Sequence, residues 1–109
     1  MEWRVEVLDE RVVAELEALS ADLRAKFVRI AKLLESFGPH QVREPHVKSL
    51  GDKLWEMRMA GRDGIARAIY LAAHGQRLVV VHVFIKKTQK TPRAAIETAK
   101  SRAKEAGLL

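Results

Sequence analysis

The chain has 109 residues, is 48% hydrophobic and contains no cysteine, which is enough apolar material for one core and rules out disulfides and thiolate metal sites. Its formal net charge of +6 is unevenly spread: residues 1–47 carry seven Lys/Arg against nine Asp/Glu, and residues 48–109 carry thirteen against five. The basic half attracts a polyanion, with an acidic protein as the other partner class this imbalance allows.

No apolar run approaches the ~20 residues of a membrane helix, and the first ten residues, MEWRVEVLDE, lack the apolar core of a secretory signal. A single domain over 1–109 in a reducing cytoplasm, away from membranes, is the expectation.

Residues 2–8 alternate, with Trp3, Val5 and Val7 on one side and Glu2, Arg4 and Glu6 on the other, which predicts a half-buried strand. Asp9 and Ser20 are predicted N-caps of two helices, over about 10–19 and on to Ser36. In the second, Leu23, Phe27, Ile30 and Leu34 form one apolar stripe, and Gly38-Pro39 ends it. Residues 39–52, punctuated by Pro39, Pro45 and Gly51, read as a loop.

Three strands are predicted next, at about 53–59, 65–72 and 77–86. Turn signals at 61–64 and at His74-Gly75 join them into an antiparallel meander. Thr91-Pro92 opens a last helix, with Thr91 as its predicted N-cap, that runs to about Ala106 and closes at Gly107. The fold class is α+β: a small antiparallel sheet, N-terminal helices packed on one face, and a C-terminal helix.

Strand parity then sorts the side chains, because alternate residues point to opposite faces. Trp55, Met57 and Met59 share one face of the first meander strand, and Leu54, Glu56 and Arg58 the other. On the second, Ala66, Ala68 and Tyr70 are assigned to the helices, and Ile65, Arg67, Ile69 and Leu71 to the opposite side. On the third, Val79, Val81, Val83 and Ile85 are assigned to the helices, leaving Leu78, Val80, His82, Phe84 and Lys86 opposite.

One open face is thereby expected to carry Glu56, Arg58, Arg67, His82, Phe84 and Lys86, with Lys87 and Lys90 following at the strand end. Cations bind phosphates, and an aromatic ring stacks a base. Cleavage of RNA by its own 2′-hydroxyl needs a base, an acid and positive charge near phosphorus, and all three residue types are present. Individually each has a plainer explanation: Glu56–Arg58 as a surface ion pair, His82 as a packed histidine, Phe84 as core, the lysines as a solvated strand end. Their coincidence on one face carries the functional reading. His40, His46 and His74 read as loop and turn residues. No metal or cofactor is expected, and Trp3 and Trp55 are expected in the core.

The segments LWEMR (54–58), RAIY (67–70) and FIKKTQKTP (84–92), followed by a helix with Ile96, Ala99 and Arg102, resemble the RelE/ParE toxin superfamily in its phage-derived HigB-like branch. The last segment is the most specific, and the element order matches throughout. The resemblance implies a RelE-like fold and the toxin of a two-gene toxin–antitoxin pair that cleaves mRNA on the ribosome without a metal. It implies a cognate antitoxin, of helix-turn-helix type, with mRNA and ribosome as further partners.

By the same resemblance Arg67 stabilises the phosphate, and Lys86 and Lys87 hold the RNA backbone or the transition state. Glu56 is then the base and His82 the acid or its hydrogen-bond partner, roles that can be exchanged. Arg58, Arg62, Phe84 and Lys90 complete the RNA-binding set. The sequence departs from relatives in having no lysines at 54–58 and no aromatic residue after Phe84. The alternative implied by the same fold is a ParE-like inhibitor of DNA gyrase without nuclease activity. A simple RNA-binding module or an inactive relic is a third reading.

Overall fold

The computed structural model describes residues 2–62, 64–87 and 90–109. The order is β1 (Arg4–Val7), α1 (Glu10–Glu17), α2 (Ala21–Phe37), β2 (Val47–Gly51), β3 (Leu54–Gly61), β4 (Gly64–Ala73), β5 (Arg77–Lys86) and α3 (Arg93–Glu105).

Two of the three predicted caps, Asp9 and Ser20, are present. The Asp9 carboxylate accepts from the Arg11 N–H, and the Ser20 hydroxyl accepts from the Leu23 N–H. Leu23, Ile30 and Leu34 are buried along α2. Gly38 ends that helix at φ 82°, ψ 161°, a conformation almost restricted to glycine.

The five strands form one sheet in the order β1-β5-β4-β3-β2. The meander β3-β4-β5 is antiparallel as expected, but β1 pairs parallel with β5, so the sheet is mixed. The segment expected to be all loop contains β2, paired with β3 through a two-residue turn at Asp52-Lys53. Both turn residues have positive φ, as the type I′ turn demands. This strand is short, edge-on and mostly exposed, so it lacks the apolar alternation that announces a strand.

Helices lie on both faces. α1 and α2 cover one, over Met57, Met59, Ala66, Ala68, Tyr70, Leu78, Val80 and Val83. α3 covers part of the other, where Ala95, Ala99 and Ala103 let it sit close against Leu54, Ile69, Leu71, Val79 and Val81. The predicted parity holds along β3 and β4 but breaks on β5. The register slips between Ile69↔His82 and Tyr70↔Val80, leaving Val81 as an extra residue. A bulge of this kind inverts alternation on one side of it. Leu78 and Val80 therefore join the α1/α2 side, and Val79 and Val81 pack under α3. His82, Phe84 and Lys86 keep the expected side. α3 ends in a tight turn: Gly107 adopts φ 73°, and the Leu108 N–H donates to the Ala103 carbonyl at 2.8 Å.

Candidate active site

Cross-strand register builds the site. Lys48 stands opposite Glu56, Arg58 opposite Arg67, and Arg67 opposite Phe84, while Glu56 and His82 flank Ile69 in one row. Directly paired residues share a face, so Glu56, Arg58, Arg67, His82, Phe84 and Lys86 all lie on the α3 side of the sheet, beyond the helix's apolar contacts.

The face is less open than the sequence implied. Glu56 is 1% exposed, Arg67 6% and Lys86 7%, the three buried charged residues among those described. Thr91, just before α3, contributes to the covering. The Thr91 hydroxyl donates to Glu56 Oε2 at 2.5 Å. This corrects Thr91 as an N-cap: Pro92 holds that position, and no side chain caps the helix.

Arg67 is the centre of the cluster. Its Nη1 donates to the Ala66 carbonyl at 2.9 Å, and its Nε stands 3.8 Å from Glu56 Oε1, too far for a hydrogen bond. Among the described residues that buried Nε–H has no partner. Native proteins seldom leave a buried charged donor unsatisfied, because the desolvation loss is uncompensated. Burial pulls the Arg67 pKa down, Glu56 opposes that, and Arg58 adds to it. Burial likewise lowers Lys86, helped by Arg67, with Glu56 opposing and Arg58 and Lys48 contributing further. Arg67, Lys86, Arg58 and Lys48 outnumber the buried Glu56 carboxylate and the exposed Glu44 beside Arg58, a deficit of negative charge that a phosphate would fill.

From Arg67 and Arg58 a cleft of about 410 Å³ runs around the sheet edge to α2, lined also by Lys26, Arg29 and His46. Among the described residues its lining contains no acidic side chain. Arg58 is the more accessible of the two central arginines, with Glu44 3.9 Å away.

His82 sits at the margin. β1 ends at Val7, so β5 beyond Val80 has a free edge, and side chains fill it. Glu15 of α1 accepts from the Val83 N–H at 3.0 Å and meets His82 Nδ1 at 3.1 Å. Arg102 of α3 donates to both Glu15 oxygens, at 3.0 and 2.9 Å, and to the Val81 carbonyl at 3.0 Å. Burial raises the Glu15 pKa, but Arg102, the Val83 N–H and His82 outweigh it and hold the carboxyl below its ordinary value. The His82 ring stacks on Phe84, with centroids 5.2 Å apart. Sequence reasoning missed Glu15 because nothing in its helix marks it as the partner of a strand edge 67 residues away.

Of the remaining candidates, Lys87 and Lys90 are exposed. Arg62 lies at the β3–β4 tip, off the strand face, where its N–H donates to the Asp22 carboxylate at 2.7 Å. Asp63 of that turn, and Thr88 and Gln89 of the FIKKTQKTP run, lie outside the described residues. Trp55, expected in the core, is 40% exposed. Among the described residues no group of three His, Asp or Glu is arranged to hold a metal. No helix there is long and apolar enough to cross a membrane.

The model of the phage-derived Gp49-like protein family (DUF891) matches residues 14–104. The chain belongs to that family. Among solved structures it is similar to RelE of a RelE–RelB complex from Pyrococcus horikoshii OT3, with 23% identity, TM-score 0.57, and 78% of this chain and 96% of that chain covered. It is also similar to the E. coli toxin RelE in the free state, an arginine double mutant, with 17% identity, TM-score 0.62, and 97% and 98% covered. These likenesses establish a RelE-like α+β fold. No curated protein sequence matches the chain significantly.

Proposed function

We propose that this protein is the toxin of a toxin–antitoxin pair and an endoribonuclease that cleaves mRNA, acting with the ribosome and without a metal. The observation that carries this reading is the buried, partner-deficient Arg67 Nε beside Lys86, Arg58 and Glu56. Such an array binds a phosphodiester and stabilises the extra charge of a pentavalent phosphorus.

In the proposed step Glu56 takes the proton of a ribose 2′-hydroxyl, and that oxygen attacks the adjacent phosphorus. Arg67 and Lys86 hold the non-bridging oxygens. The bond to the 5′-oxygen breaks, leaving a 2′,3′-cyclic phosphate, and the departing oxygen takes a proton. Lys86 is the proposed proton donor, since its lowered pKa makes it a stronger acid than an exposed lysine. His82 has its Nδ1 on Glu15 and its ring on Phe84, so its proposed role is to position that ring against a base. Arg58, Arg62, Lys87 and Lys90 hold the backbone on either side.

Few groups are available for acid–base work, and Glu56 is engaged by Thr91. Chemistry therefore requires a scaffold that orients the RNA and draws Thr91 away, a role suited to the ribosome. The RelE from Pyrococcus horikoshii is in complex with RelB. By analogy a cognate antitoxin, of helix-turn-helix type, covers or remodels this basic face. Neither RelE structure favours the gyrase-inhibitor alternative.

Inducible expression with mapping of mRNA ends tests the proposal. Cuts linked to codons, absent in Arg67→Ala, are the expected result. Growth arrest with intact mRNA and induced DNA damage would replace it with the gyrase reading.

A further inference from the structure

The molecule has a second cleft, on the opposite side of the sheet from Arg67. It measures about 550 Å³, within the range of small-ligand sites, and is lined by Trp3, Trp55 and Tyr70 among others. It lies where α2 has stopped at Gly38 and no longer covers the sheet. We infer that this cleft is a nucleobase subsite, holding an unpaired base of the RNA chain whose scissile phosphate sits at Arg67. The inference rests on the ribonuclease reading for the identity of the chain, and on separate residues for the subsite.

Trp55 offers the exposed ring of the lining, and Trp3 and Tyr70 share that lining. Tyr70 is 2% exposed and forms part of the lining, while Trp55 is 40% exposed. Trp3 is braced: a Cβ at Gly38 would lie 3.4 Å from its Cδ1 and Nε1, so the helix end presses on the indole edge. An exposed tryptophan in an apolar cleft gains most by covering its face, and every base offers a face to cover it. No hydrogen bond joins the hydroxyl of Tyr70, a residue of this lining, to another described residue.

Charge selects the ligand class. His40, Arg43 and Lys48 stand at the cleft against one carboxylate, Glu44, which is drawn toward Arg58. Aromatic rings interleaved with cations form the kind of platform that single-stranded nucleic acid binds. Continuity with the candidate active site comes through Lys48. It lines this cleft, stands opposite Glu56 in the β2–β3 register, and its charge acts on Lys86. Since β2 is the edge strand, RNA passing over it leads from one face to the other.

Trp3 and Trp55 are the only two tryptophans in the chain, so intrinsic fluorescence reports on this cleft directly. Titrating the intact protein with a single-stranded hexaribonucleotide, and separately with AMP, should give saturable quenching. Trp55→Ala should weaken hexamer binding roughly five- to a hundredfold, and Trp55→Phe should restore most of it. Lys48→Ala should weaken binding and flatten its salt dependence, and it covers the case in which Trp55→Ala folds poorly.

Absence of saturable quenching would overturn the subsite, as would equal hexamer affinity in folded Trp55→Ala. Quenching by an antitoxin but not by RNA would overturn it too, in favour of a protein groove. The two readings fail separately. Quenching without mRNA cleavage removes the nuclease and keeps the subsite. Cleavage without quenching does the reverse.

Discussion

On β3, Met57 and Glu56 are neighbours, 0% and 1% exposed, yet they face different layers. Met57 looks toward α2 with Met59, Ala66 and Ala68, in the apolar layer under α1 and α2. Glu56 looks the other way, with Arg67 and Lys86, in a layer that buries three charges and leaves one donor without a partner. Burial is equal, but the energetics are opposed. The first layer gains from leaving water, while the second gives up stability to hold charge where water is scarce. One sheet can do both because alternation separates the two chemistries by a single residue.

The largest effect is expected on the apolar side. Met57→Ala should lower stability by about 2–5 kcal/mol, read as a shifted urea midpoint, because the cavity cannot be refilled by neighbours held on the sheet. The protein that remains folded should cleave mRNA as before. Loss of cleavage in the folded fraction would mean that the two faces are coupled.

A smaller effect is expected at the junction of the faces, where Glu15 of α1 and Arg102 of α3 meet across the β5 edge. Glu15→Gln should cost about 1–3 kcal/mol at neutral pH, since it removes charge-assisted hydrogen bonds. The pH dependence has a fixed sign. The folded carboxyl is held below its ordinary value of 4.5, so its contribution is complete above that pH and disappears as pH falls through the folded value. The stability gap between wild type and Glu15→Gln, followed by thermal melts, should close as the solution is acidified. A gap that stays constant down to acid unfolding would show that the ion pair contributes nothing.

The smallest effect belongs to the rim. Lys87 is exposed at the end of β5, and Lys87→Ala should weaken RNA binding without changing stability. The slope of log affinity against log salt should fall by about 0.7, the counterion release of one phosphate contact to a single strand. An unchanged slope would take Lys87 off the RNA path.

Much of this arrangement is legible in the residues themselves. Alternation along β3 and β4 assigns Glu56, Arg58 and Arg67 to one face, and caps at Asp9 and Ser20 place both N-terminal helices. What escaped is set by contacts distant in sequence. The extra residue at Val81 inverts half of β5, and no local pattern announces it. β2 exists because β3 offers it an edge, not because its own residues alternate. The Thr91 hydroxyl reads as a cap until the fold brings Glu56 within its reach. Trp55 reads as core by residue type, but α2 stops at Gly38 and leaves it uncovered.

The central claim is that the charged layer is a phosphodiester site. Purified ribosomes programmed with a defined mRNA, incubated with wild type or Arg67→Ala, test it most directly. The account predicts cleavage by the wild type and a loss of roughly 10²–10³-fold in rate for the variant, with circular dichroism unchanged. Cleavage at an undiminished rate by folded Arg67→Ala would contradict it.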